Sequence, residues 1–250
     1  ITVKSIKKYL TVIEEIFEKE KIIFNKFPSD GSSWTVNSSV KSEKFLKAKK
    51  ILKDTFKSKK LPIRGGIKTG FNSAFIINMS QFNDFLKQDK NCVKFIKPFL
   101  KGRKIKPWKQ EETNEFLIFA DRDFDISKCP LPISKHLKKF KKELSDRATV
   151  PNSHPWYQLQ QPQVGFVNDY ENSIKLVWRD ISNRSVTTLV DKGVYLDMTC
   201  FYIPIDSSAL CSWMHSDFYL EQLKTISSIV RGNAIRWKKQ WVEQTYFYPN

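Results

Sequence analysis

Basic and amide side chains placed beside glycines carry most of the chemistry this sequence offers. Gly65, Gly66 and Gly70 bracket Lys68 and Thr69, and Asn72 follows. Glycine lets a turn close tightly and lets backbone approach a phosphate or a groove. A lysine held there can pair with a phosphate or a guanine edge, and an asparagine can make the bidentate contact to adenine. The same residues also suit a turn entering a strand, with Thr69 and Asn72 capping backbone groups; the two readings are compatible. Arg103, Lys104 and Lys106 lie between the apolar run ending at Leu100 and Trp108. A basic loop on a hydrophobic anchor suits a clamp on a phosphate backbone, and a solvated charge run is the plain alternative. Arg231, Arg236, Lys238, Lys239 and Gln240 cluster where a long helical pattern is expected to stop at Gly232. Arg and Gln can read guanine and adenine in the major groove, whereas Trp237 and Trp241 suit core anchors.

Other chemistry is missing from the sequence. No G-x-G-x-x-G or G-x-x-x-x-G-K-[ST] stretch cradles a nucleotide phosphate. His136, His154 and His215 lack metal-ligand spacing. No Asp-x-Lys or Glu-x-Lys pair occurs, as a large class of divalent-metal nucleases needs, and no Asn-Pro-Pro-aromatic motif occurs to hold a flipped base. Asp121, Asp123 and Asp125 form a D-x-D-x-D run, but the glycine and closing glutamate of a calcium loop are absent, so a solvated turn is expected. Asp121, Asp123 and Asp180 are the candidates if the chain is instead a small Mg²⁺-dependent nuclease. A protein-interaction adaptor with incidental charge is a third reading.

The elements expected to position these residues are mixed. Apolar residues at helical spacing predict a helix over 2–26, through Ile6, Leu10, Ile13 and Phe17. A polar turn follows at 28–33, then a basic helix from Ser42 to about Ser58 with Phe45, Leu46, Leu52 and Phe56 inward. Strands are expected at 73–78, 115–120, 174–178, 186–190 and 200–205. Helices are expected at 81–90, at 135–146 with Leu137, Phe140 and Leu144 inward, and at 207–229. This order is no regular βαβ series, so the fold class is α+β, with mixed small sheets and packed helices in two lobes. The expected division is a connector helix over 1–30, an N-terminal lobe over 31–149 and a C-terminal lobe with the long helix over 150–250.

Composition narrows the partners. Hydrophobic residues make up 40% of the 250 and aromatics 14%, enough for a folded core. Lys and Arg number 43 against 26 Asp and Glu, a net charge of +17. Such a surplus attracts polyanions, nucleic acid or an acidic membrane; a Lys-rich proteome is the bland alternative. No run reaches the roughly 18 apolar residues of a membrane helix, so no membrane partner is expected. Cys92, Cys129, Cys200 and Cys211 show no C-x-x-C spacing and suit reduced thiols of a cytoplasmic protein. The sequence opens on Ile1 and reads like the middle of a longer chain.

Several segments, taken in order, resemble the TaqI-like C-terminal specificity domain, the target-recognition domain of adenine-specific DNA methyltransferases and fused type IIG restriction-modification enzymes. Residues 64–77 (RGGIKTGFNSAFII) are similar to the family's GIKTGxNxAF block, and residues 95–108 (FIKPFLKGRKIKPW) to IIKPFLRGxDIKRW, with Lys104 where Asp is common. Residues 133–147 look like xIxxHLxxFKxxLxxR. Looser matches are residues 156–159 to WWxL, 175–182 (KLVWRDIS) to KIVYPDIS, 195–204 to a stretch ending YII, and 230–244 (VRGNAIRWKKQWVEQ) to LRGGxxRFKKQYLEQLPI. Arg179 stands where the KIVYPDIS segment carries Pro, and it joins the candidate DNA-binding residues. The resemblance implies a non-catalytic module that grips double-stranded DNA opposite a methyltransferase or nuclease region, on the same parent chain or a separate subunit. It implies no cofactor in this chain, and S-adenosylmethionine, with Mg²⁺ for cleavage, in the parent enzyme. Residues 2–26 would be the connector.

Overall fold

The computed structural model describes residues 52–108, 112–148, 150, 154–230, 232 and 234–247. The chain divides into two units, Ile1–Lys53 and Asp54–Asn250, and every strand and helix described lies in the second.

The segment Lys-Leu-Val-Trp-Arg is apolar at consecutive positions, the pattern of a strand buried on both faces. It forms β5 (Lys175–Arg179), inside an antiparallel sheet with β1 (Arg64–Gly65), β7 (Thr187–Val190) and β9 (Cys200–Ile203), in the order β1-β9-β5-β7. Val177 pairs with Tyr202, and Leu176 with Ile203. Successive side chains point to opposite faces. Val177, Cys200 and Tyr202 therefore enter one buried cluster, and Leu176, Trp178 and Ile203 enter another. This sheet is a wall shared by two cores.

The first core is covered by a sheet of β2 (Ile76–Asn78), β3 (Ile96–Leu100), β4 (Glu115–Ile118) and β8 (Tyr195–Leu196), in the order β2-β4-β3-β8. Its last pairing is parallel and sets Phe99 beside Tyr195. Helices α1 (Asn72–Phe75), α2 (Met79–Gln88), α3 (Leu131–Lys138), α4 (Lys141–Ser145) and α5 (Val167–Asn172) add Phe75, Phe85, Leu137, Leu144 and Tyr170 to it. The second core takes Met214, Tyr219 and Val242 from α6 (Ser208–His215), α7 (Asp217–Ile226) and α8 (Lys239–Val242). Beside it lies a small antiparallel sheet of β6 (Ile181–Ser182), β10 (Ile229–Val230) and β11 (Ala234–Arg236), in the order β10-β11-β6. Trp178 and Trp237 are buried here; the Trp178 indole N–H donates to Trp237 O at 2.8 Å, and that of Trp237 to Ser182 O at 3.2 Å. Burying two such rings with their N–H groups satisfied stabilises this core strongly. The architecture is α+β, with strands from before and after residue 150 paired in both larger sheets.

Several expected elements are cut where a local preference wins. The 135–146 helix is two helices, α3 and α4, separated at Phe140 (φ −107°, ψ 17°). α3 starts at Leu131 with Pro132 in its first turn, where a missing N–H costs nothing. Lys138, Lys139, Lys141 and Lys142 are exposed and Leu137 and Leu144 buried, as the spacing predicts. The 207–229 helix breaks at Ser216, whose Oγ accepts the Tyr219 N–H at 3.1 Å and so caps α7. Gly232 does not stop that helix: at φ +75° it turns the hairpin between β10 and β11. The expected strand at 73–78 is helical through Phe75 and extended only from Ile76. The described end of the 42–58 helix is a turn in which Thr55 pairs with Tyr246, although Phe56 is buried as expected. The rest of that helix, the 28–33 turn and the connector helix lie outside the described residues.

Candidate nucleic-acid interface

The site grows from a close approach of three backbone segments. After β3 the chain makes a 3-10 turn at Gly102–Lys104. A β-carbon on Gly102 would lie 2.6 Å from Thr199 Oγ1, so glycine is required for this loop to lie against residues 197–199. The Gly102 N–H donates to Thr199 Oγ1 at 3.1 Å, and Thr199 donates its N–H, at 2.8 Å, and its hydroxyl to the buried Asp197 carboxylate. Gly66 makes the matching approach from β1, since its β-carbon would fall 2.1 Å from Asp197 O. The third segment follows β5, where Asp180 N–H donates to Thr199 O at 2.8 Å.

These segments enclose an open cleft of about 610 Å³ lined by Asn72, Lys101, Arg103, Arg179, Asp180 and Thr199. Its lining sets three cations, Lys101, Arg103 and Arg179, against the carboxylates of Asp180 and Asp197. Lys101 Nζ lies 2.6 Å from Glu115 Oε1, whereas Arg103 stands 3.9 Å from that carboxylate with 72% of its side chain exposed. Arg179 donates to Ile105 O; burial, and then the Arg184 charge, lowers its pKa. Arg236 NH1 stands 3.7 Å from Asp180 Oδ2 at the edge of the cleft.

The Gly-rich turn beside the cleft is held by the guanidinium groups of half-buried Arg147 and exposed Arg122. Arg147 donates to Leu144 O, Thr69 O, Trp156 O and Gln158 O at 2.6–3.0 Å. Burial, and then the neighbouring Arg122, lowers the Arg147 pKa to about 10. Arg122 donates to Leu159 O at 2.9 Å and Gln160 O at 2.8 Å. Gly70, at φ +82°, has no room for a β-carbon beside Arg147, which would be 2.8 Å away.

The structure brings Asn72, Arg103 and Arg179 into one cleft, with Arg236 reaching it through Asp180. Lys104 and Lys106 are exposed on the same loop. Lys68 is half-buried and pairs through its backbone with Gln161 in both directions, at 3.1 and 2.9 Å. Thr69 is buried, and its hydroxyl donates to Asn72 Oδ1 at 2.6 Å, so these two side chains bond to each other. Lys238, Lys239 and Gln240 open α8 and do not line the cleft; Arg231 lies outside the described residues. Trp108 is no buried anchor: it is 59% exposed and stacks on His215 at 3.9 Å. Sequence reasoning missed Lys101, Thr199 and the two arginine clamps; only the Arg ending the 133–147 block signalled Arg147. Asp123 N–H donates to Asp121 Oδ1 at 3.1 Å, a local turn. Among the described residues no group of three or more His, Cys, Asp or Glu side chains is placed to hold a metal ion, and no helix is long and apolar enough to cross a membrane.

Neither a protein-family model nor a curated protein sequence matches the chain. Its fold is similar to part of two solved enzymes. One is the Type IIL restriction-modification enzyme MmeI, solved in complex with DNA: TM-score 0.51, 16% identity, covering 73% of this chain and 24% of that one. The other is the type IIG restriction endonuclease BpuSI: TM-score 0.51, 13% identity, covering 85% of this chain and 26% of that one. The chain thus spans about a quarter of each enzyme's length. At these identities the likeness is one of fold.

Proposed function

We propose that this chain is the double-stranded DNA recognition module of a type IIG-like restriction-modification enzyme or adenine-specific DNA methyltransferase, and that it acts without catalysis of its own. The observation that carries this reading is the convergence of Asn72, Arg103 and Arg179 on one cleft, in a fold similar to part of an enzyme solved with DNA. Arg103 and the neighbouring Lys104 and Lys106 would position the phosphate backbone, and side chains at the cleft would read base edges. A methyltransferase or nuclease region, on the parent chain or a separate subunit, would supply S-adenosylmethionine and Mg²⁺ chemistry, and the assembly would act in the cytoplasm. The test is to incubate the chain with plasmid, Mg²⁺ and labelled S-adenosylmethionine, and to measure duplex binding alongside. Binding with neither methyl incorporation nor nicking is expected. Nicking or incorporation that survives repurification would contradict the non-catalytic role, and absence of duplex binding would contradict recognition.

A further inference from the structure

The basic loop after β3 is pinned to the end of the wall sheet at three points. The Gly102 N–H donates to Thr199 Oγ1 at 3.1 Å, and the Trp108 N–H donates to Thr187 O at 3.1 Å. Between them Ile105 O accepts from the Arg179 guanidinium. Gly102 and Ile105 stand three residues apart across the 3-10 turn and share its inner face. Both are buried, whereas Arg103, Lys104 and Lys106 are exposed. The pins hold the loop from within, and its cations point out.

A charged side chain makes the middle pin. Arg179 ends β5, where its backbone is fixed opposite Cys200. One terminal nitrogen is committed to Ile105 O, and Nε is buried out of a ligand's reach. Relative to the IIKPFLRGxDIKRW and KIVYPDIS segments, arginine and proline change places: Pro107 stands where the first carries Arg, and Arg179 where the second carries Pro. In this chain the guanidinium at the junction therefore comes from the strand beneath the loop.

We infer that Arg179 is a positioning residue: it leaves the duplex untouched and holds the 102–106 loop against the wall sheet, so that Arg103 and Lys104 meet the phosphate backbone together. A loop fixed before binding avoids the ordering cost that a free loop would add. This assignment rests on the DNA-recognition reading, in which those cations contact phosphate. A guanidinium touching phosphate itself would contribute its own contact whatever the loop carries. One that acts through the loop contributes nothing once the loop cations are gone.

The experiment is a double-mutant cycle on duplex binding, read as a function of salt. It compares the wild-type chain, Arg179→Met, Arg103→Ala with Lys104→Ala, and all three substitutions combined, with thermal melting of each. Arg179→Met should make the log-log slope shallower by about two contacts, about 1.8 in all, although it removes one charge. In the chain lacking Arg103 and Lys104, the same substitution should change neither slope nor affinity. Arg179→Gln repeats the cycle with a smaller change of polarity, so the outcome stands even if Arg179→Met fails to fold. A slope that falls by one contact in both backgrounds would make Arg179 a direct phosphate contact. A slope that the folded variants leave whole would make it structural alone. Either result overturns the inference while sparing the function. No duplex binding by the wild type would overturn the function itself, and this inference with it.

Discussion

The Gly-rich turn at 64–72 and the mouth of the cleft around Asp180 and Arg236 both gather arginines, and they use them in opposite ways. At the turn, Arg147 and Arg122 are committed to six backbone carbonyls between them. At the cleft, Arg103 and Arg236 stand 3.9 and 3.7 Å from their carboxylates and keep 72% and 36% of their side chains exposed. Part of the +17 charge surplus is therefore spent on the protein's own backbone. What separates a structural arginine from one available to a partner is whether its donors are already spent.

The largest expected effect falls at Gly66. Gly66→Ala would drive a β-carbon to within 2.1 Å of Asp197 O, where backbone must move, and the expected loss is about 3 kcal/mol or more. Urea unfolding checks it; a wild-type midpoint would mean the two segments separate freely. Arg147→Ala should follow, at about 2–4 kcal/mol, because it strands carbonyls of the turn and of residues 156–158. Arg103→Ala should shift stability by less than about 0.5 kcal/mol and weaken duplex binding. Should these two exchange behaviours, Arg147 would be a DNA contact and Arg103 a structural one.

Smaller effects sharpen the contrast. Asn72→Ala at the cleft should alter the cognate-to-mismatch ratio by about tenfold, and Arg236→Ala should do likewise, whereas Lys138→Ala, Lys139→Ala and Lys142→Ala on exposed helix faces should weaken all duplexes alike. Titration on matched and single-mismatch duplexes separates the groups, and a mismatch effect from Lys139→Ala alone would reverse the assignment. The gentlest effect is one of pH. His136 Nε2 bonds to Ala74 O at 3.0 Å in the clamped region, and burial holds its pKa below the ordinary range. Burial foremost, then Arg122 and Arg147, does the same to His154. The unfolded chain takes up these protons below about pH 6.5 while the folded chain does not, so stability is full above that value and falls on acidification, by up to about 1.4 kcal/mol per histidine per pH unit. Unfolding midpoints between pH 7 and 5 measure this, with a flat profile the contrary result.

Much of the fold was legible where apolar patterning was long enough to carry a period. The strands at 115–118, 175–179 and 187–190 fall where the sequence places them. Legibility failed in strands of two or three residues, such as β1, β6 and β10, which have no period and exist through distant partners. It failed again where one serine overrode an apolar stripe, as Ser216 does between α6 and α7. At the site, Asn72, Arg103 and Arg179 were recognisable by type. That they meet was not, because hydrogen bonds join Thr199 to Gly102, 97 residues away, and to Asp180. Asp180 entered the sequence reading only as a metal-ligand candidate.

Duplex binding by the 250-residue chain should depend steeply on salt. Fluorescence anisotropy on a labelled duplex, from low to moderate salt, should give log K falling linearly with log salt at about −0.9 per phosphate contact, with a total slope of about −3 or steeper. Arg103→Ala should make that slope shallower by roughly one contact. A flat salt response, or no binding at low salt, would contradict the central claim that this cleft belongs to a DNA-recognition module.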